Sequence, residues 1–207
     1  MKKNIIKTAL VLLAGLSFAS CDLTEPMQVQ ADKAMIFGTE SGLKTYSWSF
    51  YKMLPNIEDS FLQENGKVDY FVVRKMNNFF IDGAYTAETS TSWSWGNLRN
   101  VNYFLDGLKS KECTVDAKTV AHYEGLARWF RALFYFDKLT TYGEVPWFDK
   151  DLQNYEFDLM YKDRDSRDVI VKNIIADLDF AYENIQTTSS TGSSLVSKWA
   201  AAGLKSR

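Results

Sequence analysis

Residues 124–148 read EGLARWFRALFYFDKLTTYGEVPWF and carry the strongest structural pattern in this chain of 207 residues. Apolar side chains cover most sides of the segment 126–139, and a helix that is apolar all round packs against several neighbours. The pattern therefore predicts one long central helix over residues 116–142. Gly143 takes the place of its C-terminal cap, and Pro146 bars continuation. The apolar residues are Leu126, Ala127, Trp129, Phe130, Leu133, Phe134, Phe136 and Leu139.

Shorter helices are predicted before this central helix. Residues 39–54 carry apolar side chains at spacings of three and four, which is a helical pattern. Thr39 or Ser41 can cap the start of that helix, and Pro55 ends it. A second helix is predicted over residues 95–109. Its apolar stripe consists of Leu98, Val101, Leu105 and Leu108.

After the central helix, an acidic and aromatic connection over residues 149–163 leads to another predicted helix, 165–185. Asp165 is expected to be its N-cap and to accept the amide of the residue three positions later. A last helix begins near Leu195 and contains Trp199 and three alanines. The periodic stripe of the helix 165–185 consists of Val171, Ile174, Leu178, Ala181 and Ile185.

The segments between these helices are irregular or short. Residues 67–74 are rich in β-branched and aromatic side chains and favour a short strand or an extended segment. Residues 83–94 read as a Thr/Ser-rich loop, and residues 187–194 read as a linker. Helix pairs separated by polar linkers are typical of helical-repeat arrays. The predicted fold class is therefore mostly α.

The first twenty residues have the composition of a secretory signal. Three lysines form a positive n-region, and residues 8–19 form an apolar run of twelve that is too short to span a bilayer. Small residues directly before Cys21 resemble a bacterial lipobox, which predicts lipid on this cysteine. The alternative is an ordinary signal peptide that happens to precede a cysteine.

The predicted organisation has three parts. Residues 1–20 form a lipoprotein signal peptide, residues 21–38 a lipidated tether, and residues 39–207 a helical domain that is incomplete at its C-terminus. Several acyl chains on Cys21 would hold the protein on a membrane without spanning it.

The charge balance argues against nucleic acid as a partner. The chain has 24 Lys+Arg and 26 Asp+Glu, a net charge of −2, which becomes −5 once the three lysines of the leader are removed. Phosphate contacts supply most of the affinity for nucleic acid, and the sequence contains no basic tract to make them.

The motifs give little support to an enzyme. The single histidine, His122, excludes a site such as HExxH and is expected at the surface, and neither G-x-S-x-G nor G-x-G occurs. No catalytic residue, metal ligand or cofactor is therefore predicted. Lipid on Cys21 would leave Cys113 as an idle thiol without a disulfide partner. Paired carboxylates can hydrolyse a glycosidic bond, so a glycoside hydrolase is a rival interpretation.

Several segments, in this order and behind a lipobox, resemble the SusD/RagB family of outer-membrane nutrient-binding lipoproteins of Bacteroidetes. Residues 124–148 are the closest match to a family motif. The other matching segments are WSWGNLRNVNYFLDGL (93–108), RDSRDVIVKNIIADLDFAYENI (164–185) and VSKWAAAGLKSR (196–207). Family chains are considerably longer and carry a further C-terminal region, so the resemblance covers an N-terminal part.

The resemblance implies a SusD-like fold of tetratricopeptide-like helix pairs with long irregular loops. It also implies a lipid-anchored protein of the outer membrane that faces the cell exterior and binds an oligosaccharide without catalysing a reaction. The implied partner is a SusC-like TonB-dependent transporter, to which the glycan is passed. Two alternatives stay open: a helical-repeat scaffold that binds only proteins, and a truncated, inactive relic.

The main candidate glycan-binding residues lie within or directly after a polar stretch of sequence, TAETSTSWSWGN (86–97). Trp93 and Trp95 lie there among Thr and Ser, and aromatic faces suit the apolar C–H face of a pyranose. Asn97 and Asn100 can bond hydroxyl groups, because an amide both donates and accepts. The alternative is that both rings anchor the following helix to the core. Weaker candidates are Arg74 and Tyr85.

Overall fold

The structure is a computed structural model, and it describes residues 33–56, 81–84, 86, 93–186 and 195–207. The signal peptide, the segment 67–74, the linker 187–194 and most of the loop 83–94 lie outside the described residues. The described part is built from helices, in the order α1 (Lys33–Phe37), α2 (Glu40–Ser47), a 3₁₀ helix (Trp48–Met53), α3 (Gly96–Leu108), α4 (Ala117–Tyr142), α5 (Phe157–Met160), α6 (Arg167–Asn184) and α7 (Lys198–Lys205).

The long helix α4 is the centre of the fold, as predicted. It packs against α2, the 3₁₀ helix, α3 and α6, and this explains why its sequence is apolar on most sides. Asp116 caps its start by accepting the amides of Lys118 and Thr119 at 3.1 and 3.0 Å. At its end, Gly143 adopts a φ of 77°, a conformation that glycine reaches without strain, and donates its amide to Leu139.

The core between α1, α2, α3 and α4 is largely aromatic. Tyr46 stacks on Phe104 at a centroid distance of 5.3 Å, and Phe50 lies edge-on to Phe104 at 5.4 Å. Such pairs add to the free energy of burial. Gly107 of α3 lies directly against the ring of Phe37, where a Cβ atom would approach the ring to 1.9 Å. The predicted stripe of α3 is confirmed: Leu98, Val101, Leu105 and Leu108 are all buried.

The helix predicted over 39–54 is present but changes type. Thr39 is the N-cap, and its hydroxyl accepts the amide of Gly42 at 3.1 Å. The backbone tightens to a 3₁₀ helix at Trp48, which ends before Pro55. Just upstream, α1 buries Phe37, so at least the end of the segment predicted as tether packs on the core.

Asp165 is not the N-cap of α6, and that prediction was wrong. Ser166 holds the N-cap position without a side-chain hydrogen bond. The backbone of Asp165 instead forms an antiparallel bridge with Val145. This bridge turns the carboxylate towards Trp147, whose amide donates to it at 2.7 Å. A long-range contact has therefore taken the place of the local cap.

The buried stripe of α6 begins one residue earlier than predicted. Ile170 is fully buried, whereas Val171 is 39% exposed, because only Ile170 is in register with Ile174 and Leu178 at a spacing of four. The rest of the predicted stripe is confirmed.

The last helix, α7, follows the predicted start near Leu195 and packs on α6. Its Trp199 is 62% exposed. None of the described helices is both long and apolar enough to cross a membrane. The sequential packing of α3 on α4, α4 on α6 and α6 on α7 confirms the mostly α fold class.

Candidate functional site

A cavity of about 590 Å³ opens between the start of α3 and the connection that joins α4 to α6. The segment that starts α3 contributes Trp93, Trp95 and Arg99. The connection, residues 146–164, contributes both apolar and polar side chains. These include Phe148, Lys150, Asn154, Tyr161 and Arg164. A volume of this size lies within the range of small-ligand pockets.

The two predicted tryptophans meet in this cavity and have different surroundings. Trp95 is half-buried, and its ring packs against Phe134 at 5.6 Å and Phe148 at 5.4 Å. Trp93 is 40% exposed and touches Trp95 edge-on at 5.2 Å. Trp95 therefore both anchors α3 to the core and lines the cavity, whereas Trp93 presents an accessible ring.

Two buried polar side chains hold the start of the connection in place. Asn102 of α3 donates to the carbonyls of Phe148 and Lys150 at 3.0 and 3.1 Å. The hydroxyl of Tyr135 accepts the amide of Phe148 at 2.6 Å, and burial raises the pKa of this tyrosine. The backbone beside the cavity is thus satisfied by α3 and α4, which keeps this wall in one position.

A buried ion pair lies behind the same wall. Arg131 of α4 makes two hydrogen bonds of 2.7 Å to the carboxylate of Asp177 on α6. Burial favours the neutral form of Arg131 and so acts to lower its pKa. The hydrogen bonds to Asp177 and the negative charge of that carboxylate act in the opposite direction, and the pKa of Arg131 is raised above its ordinary value. The guanidinium also reaches the carbonyl of Asp149 at 3.4 Å, so the pair connects α4, α6 and the connection.

The far end of the connection is fixed by Asp165. Its amide donates to the carbonyl of Val145 at 3.1 Å, and its carboxylate pairs with Lys162 at 2.6 Å. Partial burial works against ionisation, but the hydrogen bonds from Lys162 and from the amide of Trp147 lower the pKa of Asp165. Both ends of the connection are therefore tied together beside the cavity.

The other candidate residues are spread over different places. Asn97 is exposed one residue beyond Gly96, which lines the cavity. Asn100 lies on another face of α3, where it accepts the hydroxyl of Tyr46 at 2.6 Å and donates to Ser49 at 2.7 Å. The remaining predicted site residues lie outside the described part of the chain; they are Cys21, Arg74 and Tyr85.

The connection supplies cavity residues that the sequence patterns did not single out. Tyr161 is 81% exposed at the cavity, and Arg164 lies over the ring of Trp93 at 5.3 Å. Asn154 adds an amide to the lining. The sequence feature that could have revealed these residues is the aromatic-rich stretch 155–161 within an acidic segment. Large exposed aromatic residues in a loop are typical of binding sites.

The single histidine is half-buried rather than at the surface, which corrects the expectation. Nδ1 of His122 accepts the amide of Gln186 at 3.0 Å. Burial lowers the pKa of His122 even though the charge of Glu40 acts in the opposite direction. Among the described residues, no group of His, Cys, Asp and Glu side chains is placed to hold a metal ion.

The comparisons with known proteins agree with this architecture. Residues 43–207, well over half of the chain, match the model of a SusD-like family described as starch-binding and associating with the outer membrane. The matched region contains the long helix, the connection and both tryptophans. A search of curated proteins and a search of solved structures each gave no match. On the strength of the matched region and its helical fold, the chain belongs to the SusD-like family.

Proposed function

We propose that the protein binds an oligosaccharide at the cell surface, without catalysis, in the cavity between α3 and the connection 146–164. The observation that carries the proposal is the placement of exposed aromatic rings, Trp93 and Tyr161, around a cavity of about 590 Å³. The family's description as starch-binding and associated with the outer membrane points the same way.

The binding mechanism follows from the lining. A pyranose places its apolar C–H face on an aromatic ring, and its hydroxyl groups then reach polar side chains at the ring edge. Trp93 supplies the accessible ring, while Asn154 and Lys150 supply an amide and an ammonium group. We also assign a hydroxyl contact to Asn97, which is exposed beside the cavity. Contacts of Asn100, Arg74 and Tyr85 with the glycan stay predictions.

A rigid wall favours binding because less conformational entropy is lost when the ligand arrives. Asn102 and Tyr135 already fix the backbone of the connection through buried hydrogen bonds.

The lining favours binding over hydrolysis. A glycoside hydrolase needs two carboxyl groups beside the scissile bond. Among the described residues that line the cavity, none is an aspartate or a glutamate. A protein-binding scaffold has some support from the exposed rings of Trp199 and Tyr182 on α7 and α6, which lie apart from the cavity lining.

The location and partner form the second part of the proposal. Lipid on Cys21 anchors the protein to the outer membrane with the cavity on the cell exterior. A SusC-like TonB-dependent transporter receives the glycan. The support is the lipobox-like sequence before Cys21 and the family's association with the outer membrane.

The test is a titration of the full-length chain, purified in detergent, with maltohexaose and a panel of other oligosaccharides, followed by tryptophan fluorescence and calorimetry. We expect saturable binding that Trp93→Ala weakens by about 1–3 kcal/mol, by analogy with the stacking of bases on aromatic side chains. The matched control is Trp199→Ala, an exposed tryptophan away from the cavity lining, which should leave affinity unchanged.

Three results would overturn the proposal. Absence of binding to every sugar, with a transporter partner still captured, would favour the scaffold. Release of new reducing ends from the bound glycan would identify a hydrolase. Equal losses for Trp93→Ala and Trp199→Ala would place the binding site elsewhere.

A further inference from the structure

The charged side chains among the described residues that line the cavity are all of one sign. Its described lining contains four cationic side chains and no carboxylate. A neutral glucan offers such a site only hydroxyl groups, which need no charged partner because an uncharged amide both donates to them and accepts from them. The cationic side chains are Arg99, Lys150, Lys162 and Arg164.

Three of these cations have carboxylate partners just outside the lining. Arg99 lies 3.1 Å from Asp151, Lys150 lies 2.7 Å from Glu156, and Lys162 lies 2.6 Å from Asp165. These pairs leave the charge of each cation largely compensated, although the ammonium and guanidinium groups keep further donors.

Arg164 differs from the other three cations. It is exposed, and among the described residues it lies over the ring of Trp93, 5.3 Å from the ring centroid, rather than against a carboxylate. A guanidinium carries several N–H donors in one plane, and two of them match the two oxygens of a carboxylate or sulfate. Arg164 is thus a cation beside the ring of Trp93 that no carboxylate of the described residues compensates.

The first turn of α3 adds to the positive potential beside Trp93. The N-cap residue, Trp95, offers no side-chain acceptor, and the turn contains no acidic residue. A Cβ atom on Gly96 would meet no atom of the described residues within 4 Å, so among those residues nothing covers the backbone of this turn at the cavity it lines. Unsatisfied amides at a helix start favour negative charge.

From these observations we infer that the cavity takes an oligosaccharide that carries an anionic group, a carboxylate or a sulfate on the sugar ring. The sugar ring stacks beside Trp93, and Arg164 binds the anionic group. This inference rests on the proposed glycan-binding function and names the class of glycan.

The experiment compares four probes on the full-length chain at low and moderate salt: maltohexaose, an oligogalacturonate of six units, a sulfated hexasaccharide, and a short polyglutamate. We expect at least one anionic sugar to bind about tenfold more tightly than maltohexaose, because a charge-assisted, bidentate contact is stronger than a neutral one. The anionic sugar that binds better identifies carboxylate or sulfate as the recognised group. Its affinity should fall as salt rises.

The variant Arg164→Gln should lose most of that preference, because its affinity for the anionic sugar should fall far more than its affinity for maltohexaose, and Arg164→Lys should keep part of it. The matched control is Arg207→Gln, which also removes an arginine that lies over an aromatic ring, Phe136, but away from the cavity lining. The control should change affinity for the anionic sugar less than about twofold, as a surface charge remote from the site does.

The outcomes separate this inference from the function on which it rests. Equal or tighter binding of maltohexaose would overturn the inference and leave glycan binding intact. Equal binding of polyglutamate, or equal losses of affinity in Arg164→Gln and Arg207→Gln, would mean that the preference comes from non-specific attraction between charges. Either result would also overturn the inference. Failure to bind any sugar would overturn the proposed function itself.

Discussion

Replacing Arg131 by methionine tests whether the buried ion pair between α4 and α6 holds the fold together. Methionine keeps most of the apolar stem of arginine but removes the guanidinium. Both side chains of the pair are buried, and the two hydrogen bonds between them are 2.7 Å long. The change therefore leaves the carboxylate of Asp177 in the interior without its main partner.

Breaking a buried pair in this way typically costs 3–5 kcal/mol. Arg128 lies 3.6 Å from the same carboxylate and keeps part of the compensation, so we expect the lower end, about 3 kcal/mol. The double variant Arg131→Met/Asp177→Leu should recover most of the loss, because an apolar pair avoids the desolvation of both charges.

Urea unfolding at neutral pH, followed by circular dichroism at a helical wavelength, measures these free energies from the midpoint and the slope. The control is Lys205→Met, which removes one partner of an exposed pair with Asp179 and should cost less than about 1 kcal/mol. A loss of no more than that for Arg131→Met would refute the reasoning. So would a double variant whose loss equals the sum of both single losses.

Three further changes test separate parts of the molecule. Cys21→Ala should release the protein from outer-membrane fractions and leave its circular dichroism unchanged; persistence in the membrane would disprove the anchor. Burial lowers the pKa of folded His122 below 6.5, so its contribution to stability is complete above that pH and is lost as pH falls, because the unfolded chain takes up the proton first. Urea midpoints at several pH values, compared with His122→Gln, measure this. Gly107→Ala should lower stability by about 1–3 kcal/mol, since its Cβ overlaps the ring of Phe37, and a normal thermal midpoint would contradict the packing of α1 on α3.

The helices were predictable because their signals are local. The cap at Thr39, the stop at Gly143 and the stripe of α3 each follow from residues within one or two turns of one another. The predicted boundaries of α3 and α4 differ from the observed ones by a single residue at three of the four ends and agree at the fourth, Tyr142.

Where the prediction was wrong, a distant contact was stronger than the local rule. Asp165 is close enough in sequence to cap α6, but its bridge to Val145 directs the carboxylate to the amide of Trp147. His122 lies on the polar early part of α4 and would be exposed on an isolated helix. The chain after α6 covers it through Gln186, 64 residues later.

At the candidate site, too, some residues could be predicted from the sequence and others only from the folded structure. Local composition was enough to single out Trp93 and Trp95, because aromatic residues in a polar loop are unusual whatever the fold. Only the folded chain brings Arg164 to the face of Trp93 and places Asn102 under the connection. The pairing of Arg131 with Asp177 joins residues 46 positions apart, and nothing in either helix alone specifies it. Helix formation depends on neighbours within a few residues, whereas the cavity and its charge arise from segments that meet only after α3, α4 and α6 have packed.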